Sequence, residues 1–193
     1  MFIMAGQARI LSKEEIRDLF SILSNRRDQV IFALGIYAGL RIGEIIALKC
    51  ADVYTKSGGV RNVLKFVRLK KKNTVYSNIP VHPKLRKLLE AYYKEIKAKE
   101  RKSKWLFPSV KSSTGHIERV RAHYILCSAF DRLNLEGAST HSLRRTCLTN
   151  MSRAGIPLRT IQEISGHANL GQLQAYLAVD PADTKKAIIS LKY

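Results

Sequence analysis

The stretch that organises the chain reads THSLRRTCLTNM over 140–151, breaks at Gly155, Ile156 and Pro157, and resumes as IQEISGHANLGQLQAY over 161–176. Both halves have helical periodicity. His141 and Arg144 stand three apart, which on a helix places them on one face. Leu143, Leu148 and Met151 supply an apolar face that holds the same helix against a core. Pro157 suits the first position of a second helix. A histidine and an arginine sharing one helical face, with His167 and Tyr176 downstream, can surround a single phosphate. Such a site needs a second arginine and an acid from elsewhere in the chain.

The composition agrees with a phosphate-bearing partner. The chain has 193 residues, 46% of them hydrophobic, enough for one well-cored domain. Its net charge is +19, from 34 Lys and Arg against 15 Asp and Glu. That excess points to a polyanion rather than to the neutral metabolites of an ordinary cytosolic enzyme. A solubilising surface or an RNA-packaging role would account for the charge alone. Cys50, Cys127 and Cys147 are widely spaced and odd in number, and they read as free thiols in a reducing compartment. No secretory signal and no apolar run of ~18 residues occurs, so a cytoplasmic protein without membrane contact is expected.

Working outward, Ser12 to Glu15 form a capping box ahead of a helix carrying Ile16, Leu19, Phe20 and Leu23. A nearly all-apolar helix comes next over 28–38 and ends at Gly39, then LRIGEIIAL over 40–48 continues as a short buried helix. From Val53 to Leu89 no acidic residue occurs and ten are basic. Two runs there, NVLKFVRL and VYSNIPV, alternate as strands, and Lys70, Lys71, Lys72 and Asn73 turn between them. A third strand is expected at Val53 and Tyr54. The triple lysine also suits a solvated edge guarded against aggregation. Pro83 opens a helix reaching about Lys99. Trp105 to Pro108 form an apolar anchor, and Glu118 to Leu133 a helix with Val120, Tyr124, Cys127 and Phe130 inward. His116 and His123 read as surface or capping residues. A last short helix holds Ala187, Ile188 and Leu191. The fold class is therefore mainly α with a small antiparallel β-sheet (α+β).

Five pieces stand in order: Gly39 to Glu44 (GLRIGE), the lysine turn, His141 with Arg144, Gly166 with His167, and Tyr176. Together they resemble the tyrosine recombinase (phage integrase) family, over almost the whole chain from about Leu11 to Asp180. The resemblance implies that family's catalytic-domain fold over 11–193, with 1–10 an N-terminal extension. It implies roles for particular residues. Arg41 and Arg144 match the two phosphate-binding arginines, His141 the histidine of the H-x-x-R box, and His167 the histidine after glycine. Glu44 matches the acid that supports the first arginine. Tyr176, nine residues after His167, matches the nucleophile. Lys72, eight before Pro80, matches the lysine general acid; a one-residue slip in the hairpin would select Lys71, which faces the other way.

The activity that the resemblance implies is site-specific cleavage and rejoining of double-stranded DNA through a 3′-phosphotyrosyl bond. The forked arginines suit the non-bridging oxygens. No metal or cofactor is implied, because the arginines supply the charge that Mg²⁺ would. Lys70, Lys71 and Arg145 are candidate contacts to the DNA backbone. The family works as dimers or tetramers on DNA, and a nucleoid-associated location is implied with it. The tail over 177–193 is expected either to pack in cis or to be exchanged between protomers. A type IB topoisomerase has the same nucleophile, and a DNA-binding regulator that had lost catalysis would keep the fold. Ser165, where an apolar residue is common, and the run 169–175, which lacks the usual threonines, depart from the family pattern.

Overall fold

Helix α1 (Lys13–Ile22) begins where the Ser12 hydroxyl accepts the Glu15 N–H and the Glu15 carboxylate accepts the Ser12 N–H, a reciprocal cap. The computed structural model describes residues 8–68, 75–98, 103–177 and 188–189. Helix α2 (Arg26–Ala38) is the centre of the core, with Val30 to Ile36 buried in succession. A helix apolar on every side must be covered on every side, and α5 (Pro83–Ala98), α6 (Arg119–Arg132) and α7 (Thr140–Arg153) pack around it. At the α2–α7 crossing, a Cβ on Gly35 would stand 2.7 Å from Leu143 Cβ. The two helices approach that closely only because position 35 is glycine.

Helix α2 stops at Gly39, whose φ of 62° takes the left-handed conformation. The Gly39 N–H bonds to Gly35 O and the Leu40 N–H to Leu34 O, closing the helix end. Two short helices come after it, α3 (Ile42–Ile46) and α4 (Cys50–Val53). The expected third strand at Val53 and Tyr54 is not formed. Asp52 accepts the Lys49 N–H at 2.8 Å and nucleates a helical turn there instead, leaving Tyr54 in a single bridge to Val60. The sheet has two antiparallel strands, β1 (Val63–Val67) and β2 (Tyr76–Pro80), in the register Leu64 to Ile79 and Phe66 to Ser77. Leu64, Phe66 and Ile79 face the core. The lysine turn, Lys70 to Lys72, lies outside the described residues.

Helix α6 faces inward only partly as expected: Phe130 is buried and Cys127 half-buried, but the stripe is rotated at its start. Ala122, Leu126, Ala129 and Phe130 are buried, whereas Val120 and Tyr124 are exposed. Both stripes have helical spacing; the alanines prevail because their small side chains let α6 approach its neighbours closely. The outward Tyr124 ring carries the Arg121 guanidinium 5.6 Å from its centroid. Leu106 and Phe107 form the expected buried anchor. Helices α8 (Leu158–Ser165) and α9 (Leu170–Tyr176) rest on the far side of α7 through a separate small cluster of Leu148, Ile161 and Leu173. Of the expected last helix, Ile188 and Ile189 are helical and exposed; Ala187 and Leu191 fall outside the described residues. Among the described residues, no helix is long and apolar enough to cross a membrane.

Candidate active site

Arg41 is positioned by the Gly39 turn. It stands at the N-cap of α3, and Glu44 reaches back to it twice: Oε2 accepts the Arg41 N–H at 2.9 Å and Oε1 accepts Nη1 at 3.1 Å. The Glu44 side chain has no exposed surface, while that of Arg41 is 23% exposed. The acid is thus sealed in and the arginine faces outward, the arrangement for a carboxylate that aims a cation rather than reacting. A second guanidinium lies on the same carboxylate: Arg68 Nη1 is 3.6 Å from Glu44 Oε1.

Helix α7 supplies the next two members. Its start is fixed by Ser139, whose hydroxyl accepts the His141 N–H, and by Ser142, whose hydroxyl accepts the Ser139 N–H. His141 is the exposed residue of an otherwise buried first turn, and Arg144, three residues on, is buried. Arg144 donates Nη1 to Gly39 O at 2.6 Å and Nη2 to Ser165 O, tying the α2 turn to the end of α8. Burial, together with the Arg41 charge beside it, lowers the Arg144 pKa to about 10, against the pull of Glu44. It remains a cation at neutral pH. One turn further, Cys147 is buried, and burial pushes its thiol up to about 12. It is an inert thiol under the site.

Helix α8 ends at Gly166, with φ 67° and its N–H bonded to Gln162 O at 2.6 Å. The Arg68 guanidinium occupies the space where a side chain at 166 would go. His167 comes directly after it. The Ser165 hydroxyl lies 2.8 Å from His167 Nδ1 and 3.2 Å from Gln162 O. The Gln162 carbonyl already accepts the Gly166 N–H, so the hydroxyl proton can go to Nδ1, which puts the ring proton on Nε2 and lets that nitrogen donate. Gln162 Nε2 also donates to His167 O at 3.1 Å. The serine that departs from the family pattern thus holds the histidine.

Tyr176 is the last residue of α9, a helix capped by Asn169 and anchored by buried Leu173. Its hydroxyl donates to the backbone carbonyl of His141 at 3.3 Å, at the start of α7. Its ring is tilted 49° against that of His167, with centroids 5.3 Å apart. Burial raises the Tyr176 pKa, while the charges of Arg144, Arg41 and Arg145 draw it down. Arg41, Glu44, Arg144, His167 and Tyr176, dispersed over 41–176, are brought together, with the His141 backbone carbonyl holding the tyrosine hydroxyl.

The remaining candidates are placed differently. Arg145 donates Nε to Tyr176 O at 3.1 Å and Nη1 to Ala8 O at 2.6 Å, and is largely buried. It clasps the end of α9. Lys70, Lys71 and Lys72 lie outside the described residues; on either side of them the Arg68 N–H bonds to Val75 O at 2.8 Å. Sequence reasoning missed Arg68, Gln162 and Ser165. For Arg68 the signal was present: strand alternation puts Leu64, Phe66 and position 68 on one side, and an inward arginine requires an acid.

A helical body with one hairpin, with Tyr176 in the field of two arginines and one of these held on a buried acid, has the fold of the tyrosine recombinase class. The chain belongs to the phage integrase family, which it matches over residues 9–183. It is 30% identical over 185 residues to tyrosine recombinase XerA of Pyrococcus horikoshii, covering 94% of this chain and 61% of that protein. It is 32% identical over 159 residues to tyrosine recombinase XerD of Rickettsia prowazekii, covering 79% and 51%. The chain thus spans about half to two thirds of the length of these curated relatives. A probable integrase/recombinase of Bacillus subtilis, YoeC, is 29% identical and covered over 93% of its length. Among solved structures, XerA recombinase superposes with a TM-score of 0.78 at 20% identity, covering 98% of this chain and 68% of that one. XerH bound to palindromic difH substrate, a post-cleavage complex, superposes with 0.75 at 20% identity, covering 97% and 54%. These likenesses establish the fold.

Proposed function

We propose that the chain is a site-specific DNA recombinase that breaks and rejoins double-stranded DNA through a 3′-phosphotyrosyl intermediate. The observation that carries this reading is the seat of Tyr176: its hydroxyl is fixed on the first turn of α7, within the field of Arg41 and Arg144. Arg41 and Arg144 present planar cations to the non-bridging oxygens of the scissile phosphate, where charge gathers in the transition state. His167, its Nδ1 occupied by Ser165, gives those oxygens a further donor through Nε2. His141 stands at the same turn as the tyrosine hydroxyl and is assigned the removal of its proton. Tyr176 Oη bonds to phosphorus, the bond to the 5′ oxygen breaks, and Lys72 (with Lys71 as the alternative) gives that oxygen a proton. The strand is rejoined when a 5′ hydroxyl displaces the tyrosine. Lys70, Lys71 and Arg145 belong to this reading as contacts to the DNA backbone, although the Arg145 bonds to Tyr176 O and Ala8 O favour a role in holding the nucleophile. Recombination needs two DNA partners, hence a dimer or tetramer on DNA, and a nucleoid-associated cytoplasmic location.

The test starts from a random-sequence duplex pool carrying a nick beside the variable region, so that a cleaved strand loses its short end and traps the enzyme. DNA retained as an SDS-resistant adduct is sequenced and resynthesised as a single substrate. The expected result is an adduct that disappears in Tyr176→Phe while duplex binding stays. An adduct of unchanged yield in that variant would remove Tyr176 as nucleophile. Relaxation of supercoiled plasmid lacking the selected site, at the same rate as plasmid containing it, would instead establish a topoisomerase.

A further inference from the structure

Arg68 has no part in the chemistry just described, yet it is among the most buried charges in the molecule, 3% exposed. Strand β1 delivers it inward one step beyond Phe66, and its guanidinium lies 4.6 Å from the centroid of that ring. Each donor has a direction. Nε bonds to Ser77 Oγ at 2.9 Å across the hairpin, and Nη2 bonds to Ile164 O at the end of α8. Nη1 points at Glu44 Oε1 but stops at 3.6 Å, and among the described residues it has no hydrogen-bond acceptor. A buried guanidinium proton left short of a bond is costly. Arg41 Nη1 lies on the same carboxylate oxygen, at 3.1 Å.

Two arginines thus face Glu44 Oε1, one partly open to solvent and one sealed in. The outer one is the phosphate ligand of the proposed reaction. When Arg41 turns its fork to a phosphate, Oε1 loses a donor, and Arg68 Nη1 is the donor placed to replace it. Arg68 also holds Ile164 O while Arg144 holds Ser165 O, so the last two carbonyls of α8 before the Gly166–His167 turn rest on these two guanidiniums. Gly166 admits no side chain, because its Cβ would stand 2.9 Å from Arg68 Nε.

We propose, resting on the recombinase reading above, that Arg68 is a positioning residue of the phosphate clamp. It takes over Glu44 when Arg41 engages the scissile phosphate and fixes the turn that presents His167. Its effect is then specific to the anionic phosphate, since a neutral phosphoryl centre asks much less of Arg41.

The test compares two versions of the selected suicide substrate, one with the ordinary phosphodiester and one with a single methylphosphonate at the cleaved position, which removes the negative charge. Rates of adduct formation are measured at saturating DNA for the wild type, Arg68→Lys and Arg68→Met. Lysine keeps the charge but cannot span Ser77, Ile164 and Glu44 together. Misplacement of this kind costs on the order of tenfold to a hundredfold, so both variants should slow by about that factor on the diester and by less than about threefold on the methylphosphonate. The ratio of the two rates is taken within one protein sample, so incomplete folding cancels. Ser77→Ala, which removes only the Nε anchor, should shift the ratio in the same direction by a smaller amount. Equal slowing on both substrates, or no slowing on either, overturns the positioning role. Absence of any adduct with the wild type overturns the recombinase reading instead.

Discussion

Replacing Glu44 by glutamine isolates the buried acid on which the clamp stands. The substitution keeps the shape of the side chain and removes one charge from a site with no exposed surface. In the native protein that carboxylate accepts the Arg41 N–H and Arg41 Nη1, and faces Arg68 Nη1. An amide in its place has one acceptor oxygen and turns an NH₂ group toward a donor, so at least one of these contacts becomes donor against donor. Breaking a buried ion pair by removing one partner costs about 3–5 kcal/mol. For a chain of this size each kcal/mol lowers Tm by roughly 2–4 °C, so a fall of about 6–20 °C is expected. The control is the double variant Glu44→Gln with Arg68→Met, which removes a cation along with the anion. It should recover about 1–3 kcal/mol relative to the sum of the single losses, the range for coupled neighbours. Urea unfolding tracked by circular dichroism measures all four proteins. Additivity within about 0.5 kcal/mol would mean that Glu44 and Arg68 do not interact, and the shared-carboxylate reasoning would fail.

Three further outcomes rest on the same geometry. Gly166→Ala forces a left-handed φ of 67° on a residue with a Cβ and presses it on Arg68; a loss of at least about 1–2 kcal/mol is expected by urea titration, and an unchanged midpoint would show that the turn is relaxed. Arg145→Ala frees the end of α9, so limited proteolysis near Leu177 should accelerate and adduct formation per bound complex should fall; weaker DNA binding with unchanged cleavage per complex would make Arg145 a DNA contact instead. Burial holds Tyr176 above the ordinary phenol value, so a base must take its proton. Adduct rates should rise with pH as that base loses its proton and then level; a continuous tenfold climb per unit to pH 9 would leave the tyrosine without a base. By linkage, the native state keeps the phenolic proton to higher pH than the unfolded chain, so stability from this group is complete below about pH 10 and is lost above it.

Much of the fold and the site is legible in the sequence, for reasons that differ from place to place. The Ser12–Glu15 cap and the Gly39 stop are local, set by residues within one turn of each other, and both are formed as the sequence predicts. The order of motifs from Arg41 to Tyr176 is enough to name the family, because the chemistry demands those side chains whatever lies between them. Facing is harder. On α6 two helical stripes compete, and only the close approach of neighbouring helices selects the alanine side. At Val53 a β-branched residue beside Tyr54 favours a strand, and the adjacent Asp52 cap prevails. Arg68 is hidden because an arginine beside a lysine-rich turn looks like surface charge; its partner Glu44 is remote in sequence. The bond from Tyr176 to the His141 carbonyl depends on how two helices from opposite ends of the motif are docked, which no local pattern encodes.

The pocket also carries an electrostatic imbalance with a functional meaning. Two guanidiniums, those of Arg41 and Arg68, lie on one carboxylate, Glu44, a third, that of Arg144, lies within its field, and Arg68 and Arg144 are nearly inaccessible to water. Their mutual repulsion is visible in the lowered pKa of both Arg68 and Arg144, where burial acts first and the Arg41 charge adds to it. Folding places these cations together although water would solvate each of them better apart. In the proposed reaction a phosphodiester is the anion that relieves the excess: it brings negative charge to the open side of Arg41, and the transition state brings more. The unfavourable crowding of charge in the unbound protein is therefore the same feature that makes binding strongest where negative charge is greatest. A clamp with a second buried acid would by the same reasoning be more stable and, in the proposed reaction, a poorer catalyst.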